Sequence, residues 1–384
     1  MAQSGFMQLF LGAPKTRQGH LDALDGLRGL AMIIVIVTHL ANTRLIPPEP
    51  GLAGSGKPAI YLFFVLSAYL LTRYLLKRPL AGFKDADLWI DMGSRRVLRI
   101  WPLYLFVLLL SWALTMAGVS SWHYQVDTAS LWRHLTLQEG QSVFWSIPVE
   151  FIFYLWLPPL AFGLAWMREK GLPLWAELAV LVLALAAAYW KWPPSEATEN
   201  NIRVGQYLAV FLCGTYAARL DEWIRGAGGG PRWLWGILGL LGLAAWIVAI
   251  PSIFAWLLSR PYDRYVSHYW FIYYGVLWSV VLLALLHGPD WLKRPFQTRL
   301  MRLFGVISFS AYLWHMPILQ YLASSPLVRW PVLTAVVILF LSVVVAMVSF
   351  LLIERPLRDV RVRRRKTVVP PDAGSPAPGT QRSG

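Results

Sequence analysis

The sequence carries ten long apolar stretches, at about 25–45, 59–76, 100–118, 145–166, 174–191, 203–219, 232–250, 268–287, 303–322 and 331–353, each read as a candidate membrane span. A hydrocarbon core is about 30 Å thick and a helix rises about 1.5 Å per residue, so about 20 predominantly apolar residues make one crossing. Backbone N–H and C=O groups in lipid must pair within their own segment, which leaves the α-helix as the form for runs of this length. The pattern therefore predicts an all-α fold, a polytopic integral membrane helical bundle of about ten transmembrane helices. Composition agrees, since 57% of the residues are hydrophobic, 14% are charged and the mean hydropathy is +0.50. Trp and Tyr, at 21 and 16 copies, supply rings suited to the headgroup level.

The net charge of +15 would suit a nucleic-acid partner, but its distribution argues against one. Lys and Arg gather in short segments between apolar runs and in the tail, where orientation against a membrane explains them. With Lys15, Arg17 and Arg28 placed inside, the richer loops alternate: 77–99, then Arg168 and Lys170, Arg219 to Arg232, Lys293 to Arg302, and finally Arg355 to Lys366. That alternation predicts an inner-membrane or plasma-membrane protein with both termini cytoplasmic. Residues 1–20 read as a cytoplasmic N-terminal segment without a cleavable signal, 21–357 as the membrane domain, and 358–384 as a basic, then Pro/Gly/Ser-rich, disordered cytoplasmic tail. The single cysteine, Cys213, has no partner for a disulfide and reads as a packing residue. The segments near 41–58 and 119–144 are the largest expected outer loops and could frame a substrate entrance.

Ionisable groups inside such stretches are expensive, so each needs a partner, water or a function. Arg28 and His39 lie eleven residues apart in the first stretch, roughly 16 Å along an unbroken helix. His39 is a candidate general base, because imidazole accepts a proton near neutral pH. The plainer readings are an interfacial histidine bonded to a carbonyl and, for Arg28, a positive-inside anchor. Ser67 reads as a packing hydroxyl, with no nucleophile elbow around it. Arg95, Arg96 and Arg99 precede the third stretch, where clustered guanidinium groups could hold phosphates bidentately or simply attract anionic lipid. Glu150, among aromatics, must find a donor, take a proton or face water, and it could orient a histidine or bind a sugar hydroxyl. His315 reads either as sharing a polar interior with His39 or as a satisfied interhelical residue, and Glu354 with Arg355 reads as an edge anchor.

Together, and in order, these segments resemble the membrane acyltransferase 3 family, whose members transfer acyl groups to extracytoplasmic carbohydrates. The resemblance rests on Leu21-Asp22-Ala23-Leu24-Asp25-Gly26-Leu27-Arg28-Gly29, the spacing from Arg28 to His39, Phe63-Phe64-Val65-Leu66-Ser67, and Arg95 through Pro102. Ser146 through Tyr154, Tyr312 through Pro317, and Glu354-Arg355-Pro356 follow as later landmarks. It implies that Arg28, His39 and Glu150 are catalytic-site residues and that Arg95, Arg96 and Arg99 bind the donor. The donor would be acetyl-CoA or another acyl-CoA, with no permanently bound cofactor and no metal. Implied partners are an extracytoplasmic carbohydrate such as O-antigen or exopolysaccharide, membrane lipids and, left open, a second copy of the chain. One departure stands out: the family often has Ser-Gly where this sequence has Ser67-Ala68, and the added methyl would narrow the local helix contact. The competing class is a multi-pass transporter or exporter of a carbohydrate or small solute, which explains buried polar groups without acyl chemistry.

Overall fold

The computed structural model describes residues 2–11, 22–47, 51–358 and 360. Lys15, Arg17, Leu21 and the tail beyond 360 lie outside the described residues, as do most of the segments read as cytoplasmic ends. All regular structure among the described residues is helical. The elements run α1 (Ala2–Leu11), α2 (Asp22–Asn42), α3 (Gly56–Leu76), α4 (Ala86–Met116), α5 (Thr128–Leu135), α6 (Ser146–Glu169), α7 (Leu174–Lys191) and α8 (Val204–Gly226). They continue with α9 (Arg232–Val248), α10 (Pro251–Leu257), α11 (Phe271–His287), α12 (Asp290–Gln297), α13 (Arg299–Val306), α14 (Ser308–Ala323), α15 (Pro331–Ser349) and α16 (Arg355–Arg358). A π turn at Phe350–Glu354 joins the last two.

Each of the ten expected stretches contains a helix, but the count of ten crossings is not reproduced by length and apolarity. Six helices qualify singly, and up to eight do if two bent pairs, α9 with α10 and α11 with α12, each make one span, the bends being 84° and 103°. The shortfall has local causes. Helix α14 has only 16 residues, and the second half of α8 carries Arg219, Asp221, Glu222 and Arg225. Those charges are answered inside the protein: Asp221 is fully buried and accepts from Tyr69 Oη at 2.5 Å, from His287 Nε2 at 2.9 Å and from Arg225, while Arg219 meets the buried Glu177 at 2.8 Å. The arrangement follows the rule that charge at membrane depth is paired or faces a cavity.

The layering sets the site at the centre. Helices α2 and α3 are 72% and 78% buried along their apolar windows, whereas α7 is only 11% buried and turns apolar side chains such as Leu183 outward. Outward apolar and inward polar is the arrangement expected where lipid replaces water as the outer solvent.

Close backbone contacts fix where α2 begins. A methyl on Gly26 would lie 1.8 Å from the Phe296 carbonyl oxygen, one on Gly29 would lie 2.3 Å from that of Met301, and one on Gly305 would lie 1.8 Å from that of Asp25. The two glycines flanking Leu27-Arg28 thus let α12 and α13 touch the α2 backbone, which aims Arg28 at the interior. On the other side of α3, Gly214 of α8 approaches within 2.6 Å of Val65 O and 3.0 Å of Ala68 Cβ, measured from the position its own Cβ would take. The Ala68 methyl therefore rests against a residue that has none.

Gly26→Ala is expected to destabilise the chain by about 3 kcal/mol or more, since overpacking against backbone has no cheap relief. Gly93→Ala, where nothing lies within 4 Å of an added methyl, should be neutral or slightly stabilising. Thermal unfolding of both variants in lipid nanodiscs checks the contrast, and equal melting temperatures would contradict it.

Candidate active site

Three cavities lie end to end along α2. The first, about 190 Å³, is lined by Asp25, Arg28, Arg95, Arg96, Arg99 and Glu354 among others. The second, about 70 Å³, is bordered by Arg28 and Arg99 and continues past Ser67, Glu150, Tyr154 and Tyr312. The third, about 190 Å³, shares Ile60 and Tyr312 with the second and opens around His39, Lys57, Ser142 and Trp145. Arg28, where the first two cavities meet, and His39, in the third, are set on one helix eleven residues apart and face successive cavities.

At the arginine end, α4 starts earlier than its apolar stretch suggested. Asp85 caps it by accepting from the Asp87 amide at 2.9 Å, so Arg95 to Arg99 already stand within the helix. Arg95 turns back one turn to pair with Asp91, and its side chain is 37% exposed. Arg96 lies beside Tyr154, and both it and Arg28 are within electrostatic reach of Glu150 and Arg99. Arg28 is therefore not a surface anchor: it is 9% exposed and borders two cavities. Glu354, read from sequence as an edge residue, is instead buried on the π turn, where it accepts from Ser310 Oγ and lines the first cavity. An extra residue in a helical turn redirects the side chains after it, and such bulges recur at functional sites.

In the narrow middle, one oxygen of Glu150 accepts from Ser67 Oγ at 2.7 Å and from Tyr154 Oη at 2.5 Å. Ser67 thus holds a carboxylate rather than merely packing between helices. Two hydroxyl donors keep that carboxylate oriented while nearby guanidinium groups balance its charge. Tyr312 borders both the second and the third cavity, donating to Val143 O at 2.6 Å and accepting from Ser146 Oγ at 3.1 Å.

At the far end the His39 ring faces His315, their centroids 5.2 Å apart. His315 Nδ1 donates to Ala311 O at 3.1 Å, and its Nε2 is buried without a hydrogen-bond partner among the described residues. Lys57 Nζ sits 3.6 Å over the Trp145 ring. The expected outer loops do contribute, through Gly54, Gly56 and Ser142, and the segments around Glu199 and Arg264 join them. His123, in the loop after α4, meets Ser142 Oγ through Nε2 at 2.8 Å and Gln320 Oε1 through Nδ1 at 2.5 Å. Burial holds this imidazole below its ordinary value, opposed by the bond to Gln320.

Lys57, His123, Ser142 and Gln320 were not legible as site residues. Tyr154 left a trace, lying one helical turn after Glu150, the i,i+4 spacing at which side chains meet. Among the described residues, no group of three His, Cys, Asp or Glu side chains is arranged to hold a metal ion.

Fold and cavities together define a polytopic helical membrane protein with a succession of cavities bearing ionisable side chains at its centre. The acyltransferase domain family matches residues 21–351, and the chain belongs to that family, acyltransferase 3. Similar proteins include the peptidoglycan O-acetyltransferase OatA of Listeria monocytogenes, 26% identical over 88% of this chain and 56% of the relative. A provisionally named O-acetyltransferase of Staphylococcus aureus strain COL is 22% identical over 90% of this chain and 58% of its own. A provisionally named peptidoglycan O-acetyltransferase of Bacillus subtilis, YrhL, is 24% identical over 88% and 55%. The chain thus spans just over half the length of the curated relatives it matches. No solved structure matches it.

A histidine whose folded value is depressed contributes stability that is complete above its unfolded value of about 6.5 and is lost as pH falls through the interval below. The melting temperature of the wild-type chain in nanodiscs should accordingly fall more steeply from about pH 6.5 to about pH 5 than that of His123→Gln. Parallel curves would mean that His123 is not held neutral.

Proposed function

We propose that this chain is a membrane O-acyltransferase, acting as an O-acetyltransferase, that moves an acyl group from cytoplasmic acyl-CoA to a hydroxyl of an extracytoplasmic carbohydrate. The observation that carries this reading is the succession of three cavities, with guanidinium groups at one end and the His39 imidazole at the other. Planar guanidinium groups suit the phosphates of coenzyme A, and Arg28, Arg96 and Arg99 face the cavity where those phosphates would rest. The slender thioester arm suits the narrow middle, whereas a whole sugar does not, which disfavours a carbohydrate exporter.

In the outer cavity His39 takes the proton of the attacking hydroxyl as its oxygen bonds to the thioester carbon. The carbon–sulfur bond then breaks, and the departing thiolate takes that proton. Lys57, which lines the same cavity as His39, opposes the negative charge that develops on the carbonyl oxygen, while Arg28, at the inner side of the narrow middle, orients the donor. Glu150, fixed by Ser67 and Tyr154, sets the charge balance of the passage and orients its hydroxyl donors. Two relatives are named for peptidoglycan, which supports a cell-envelope glycan as the acceptor class, O-antigen and exopolysaccharide included. This reading places the protein in the inner or plasma membrane with the arginine end and both termini on the cytoplasmic side.

Purified protein in nanodiscs, supplied with labelled acetyl-CoA and soluble glycan fragments, tests the reading. His39→Ala should lower transfer about 1,000-fold while acetyl-CoA still binds. Arg96→Ala and Arg99→Ala should raise the KM for acetyl-CoA more than Arg95→Ala, because Arg95 is already engaged by Asp91. Movement of a solute across vesicles with no acyl transfer would overturn the proposal.

A further inference from the structure

At the wall of the outer cavity, Ser142 belongs to a second constellation that the direct transfer does not use, its other members lying behind it. Ser142 Oγ, His123 Nε2 and Nδ1, and Gln320 Oε1 stand in a line, linked at 2.8 and 2.5 Å. Gln320 presents a carbonyl oxygen, which only accepts, so His123 Nδ1 carries the hydrogen and Nε2 is left to accept from the serine hydroxyl. That is the relation of nucleophile, base and orienting group by which a histidine activates a serine.

The three residues come from separate elements, 19 and 197 positions apart for the two bonds, and each is held in place independently. The loop bearing His123 is pinned on one side by Trp122 Nε1 donating to Ser111 Oγ at 3.0 Å and on the other by Tyr124 Oη donating to Leu313 O at 2.8 Å. Gln320 is on α14. Ser142 has a φ of +49° and opens the tight turn leading into α6, a turn so close that a methyl on Gly140 would lie 2.4 Å from Trp145 Cα. A non-glycine residue in this region is strained, and strain of this kind gathers at sites where it presents a reacting atom. Ser142 also lines the same cavity as His39. Its neighbour Val143 is bonded to Tyr312, which borders the narrow passage.

We propose that Ser142, His123 and Gln320 form a triad that carries the acyl group as a serine ester between donor and acceptor. The proposal rests on the acyltransferase reading above and divides its single transfer into two. First, Ser142 Oγ bonds to the thioester carbon while its proton passes to His123 Nε2. The carbon–sulfur bond breaks, and the thiolate leaves with that proton. Second, the acceptor hydroxyl gives its proton to His39 and bonds to the ester carbon, and the bond from that carbon to Ser142 Oγ breaks. Oγ is reprotonated from water through His123, and His39 returns its proton to water. Gln320 touches no reacting atom and is a positioning residue, holding the His123 tautomer.

The test uses the full chain in nanodiscs with two probes. A fluorophosphonate, which reports an activated serine without any acyl-CoA, should label wild type at Ser142 in peptide mapping, and His123→Ala should lose the label. Gln320→Ala should slow labelling about tenfold or more, and Gln320→Glu should restore it, a recovery that a purely structural role would not give. Acid quench of a reaction with labelled acetyl-CoA should trap one acyl group on the Ser142 peptide, and Ser142→Ala should lower transfer about 100-fold or more. Transfer at the wild-type rate by a folded Ser142→Ala variant would overturn the triad and leave direct transfer standing. Fluorophosphonate at Ser142 in a chain that transfers nothing would sustain the activated serine and remove the acyl-CoA reading. No label at Ser142 in active protein would overturn the triad outright.

Discussion

Guanidinium groups gathered inside an apolar helical bundle are the constraint from which the rest follows. Each arginine at the centre of a bilayer costs about 2.5–3.5 kcal/mol on insertion scales, unless charge or water answers it. Arg28, Arg96 and Arg99 are gathered where Glu150 and Glu354 face them across small cavities. Bringing those carboxylates to the arginines requires α2, α3, α4, α6 and the π turn to converge. That convergence makes the polar centre, and it leaves α7 and the outer face of α15 to meet lipid with little but apolar side chains.

The same economy organises the route. Positive charge is concentrated toward the first cavity, imidazoles and hydroxyls toward the third, and a single tyrosine-lined neck separates them. The two ends therefore offer different chemistry, cationic at one and hydroxyl- and imidazole-rich at the other, with a short stretch between them. Close glycine contacts at the foot of α2 keep the two ends in register, because they fix the height of Arg28 against α12 and α13.

Much of this could be seen in the sequence, for definite reasons. An arginine and a histidine inside an apolar run stand out because the surrounding residues cannot satisfy them, and both prove to border the cavities. Glu150 stood out on the same ground. The number of crossings was harder to read: α14 is short, and α8 hides its charges in pairs with Tyr69, His287 and Glu177 that only the folded chain brings together. Ser67 reads as packing because a hydroxyl in a span usually packs, and nothing in its neighbours reveals a carboxylate 83 positions away. Glu354 looked like an edge residue because a regular helix would carry it outward, and the π turn does not. His123 and Gln320 stand in loop and helix contexts that hold no periodic signal linking them.

The contact between Ala68 and Gly214 has a wider meaning. Ser67 reaches toward α6 and its carboxylate, while the next residue leans the other way, onto α8. A change at position 68 is consequently felt as a change in spacing between α3 and α8, on the side away from the Ser67 bond to Glu150. The girth of the bundle is thus set at one residue and the hold on a buried carboxylate at the adjacent one.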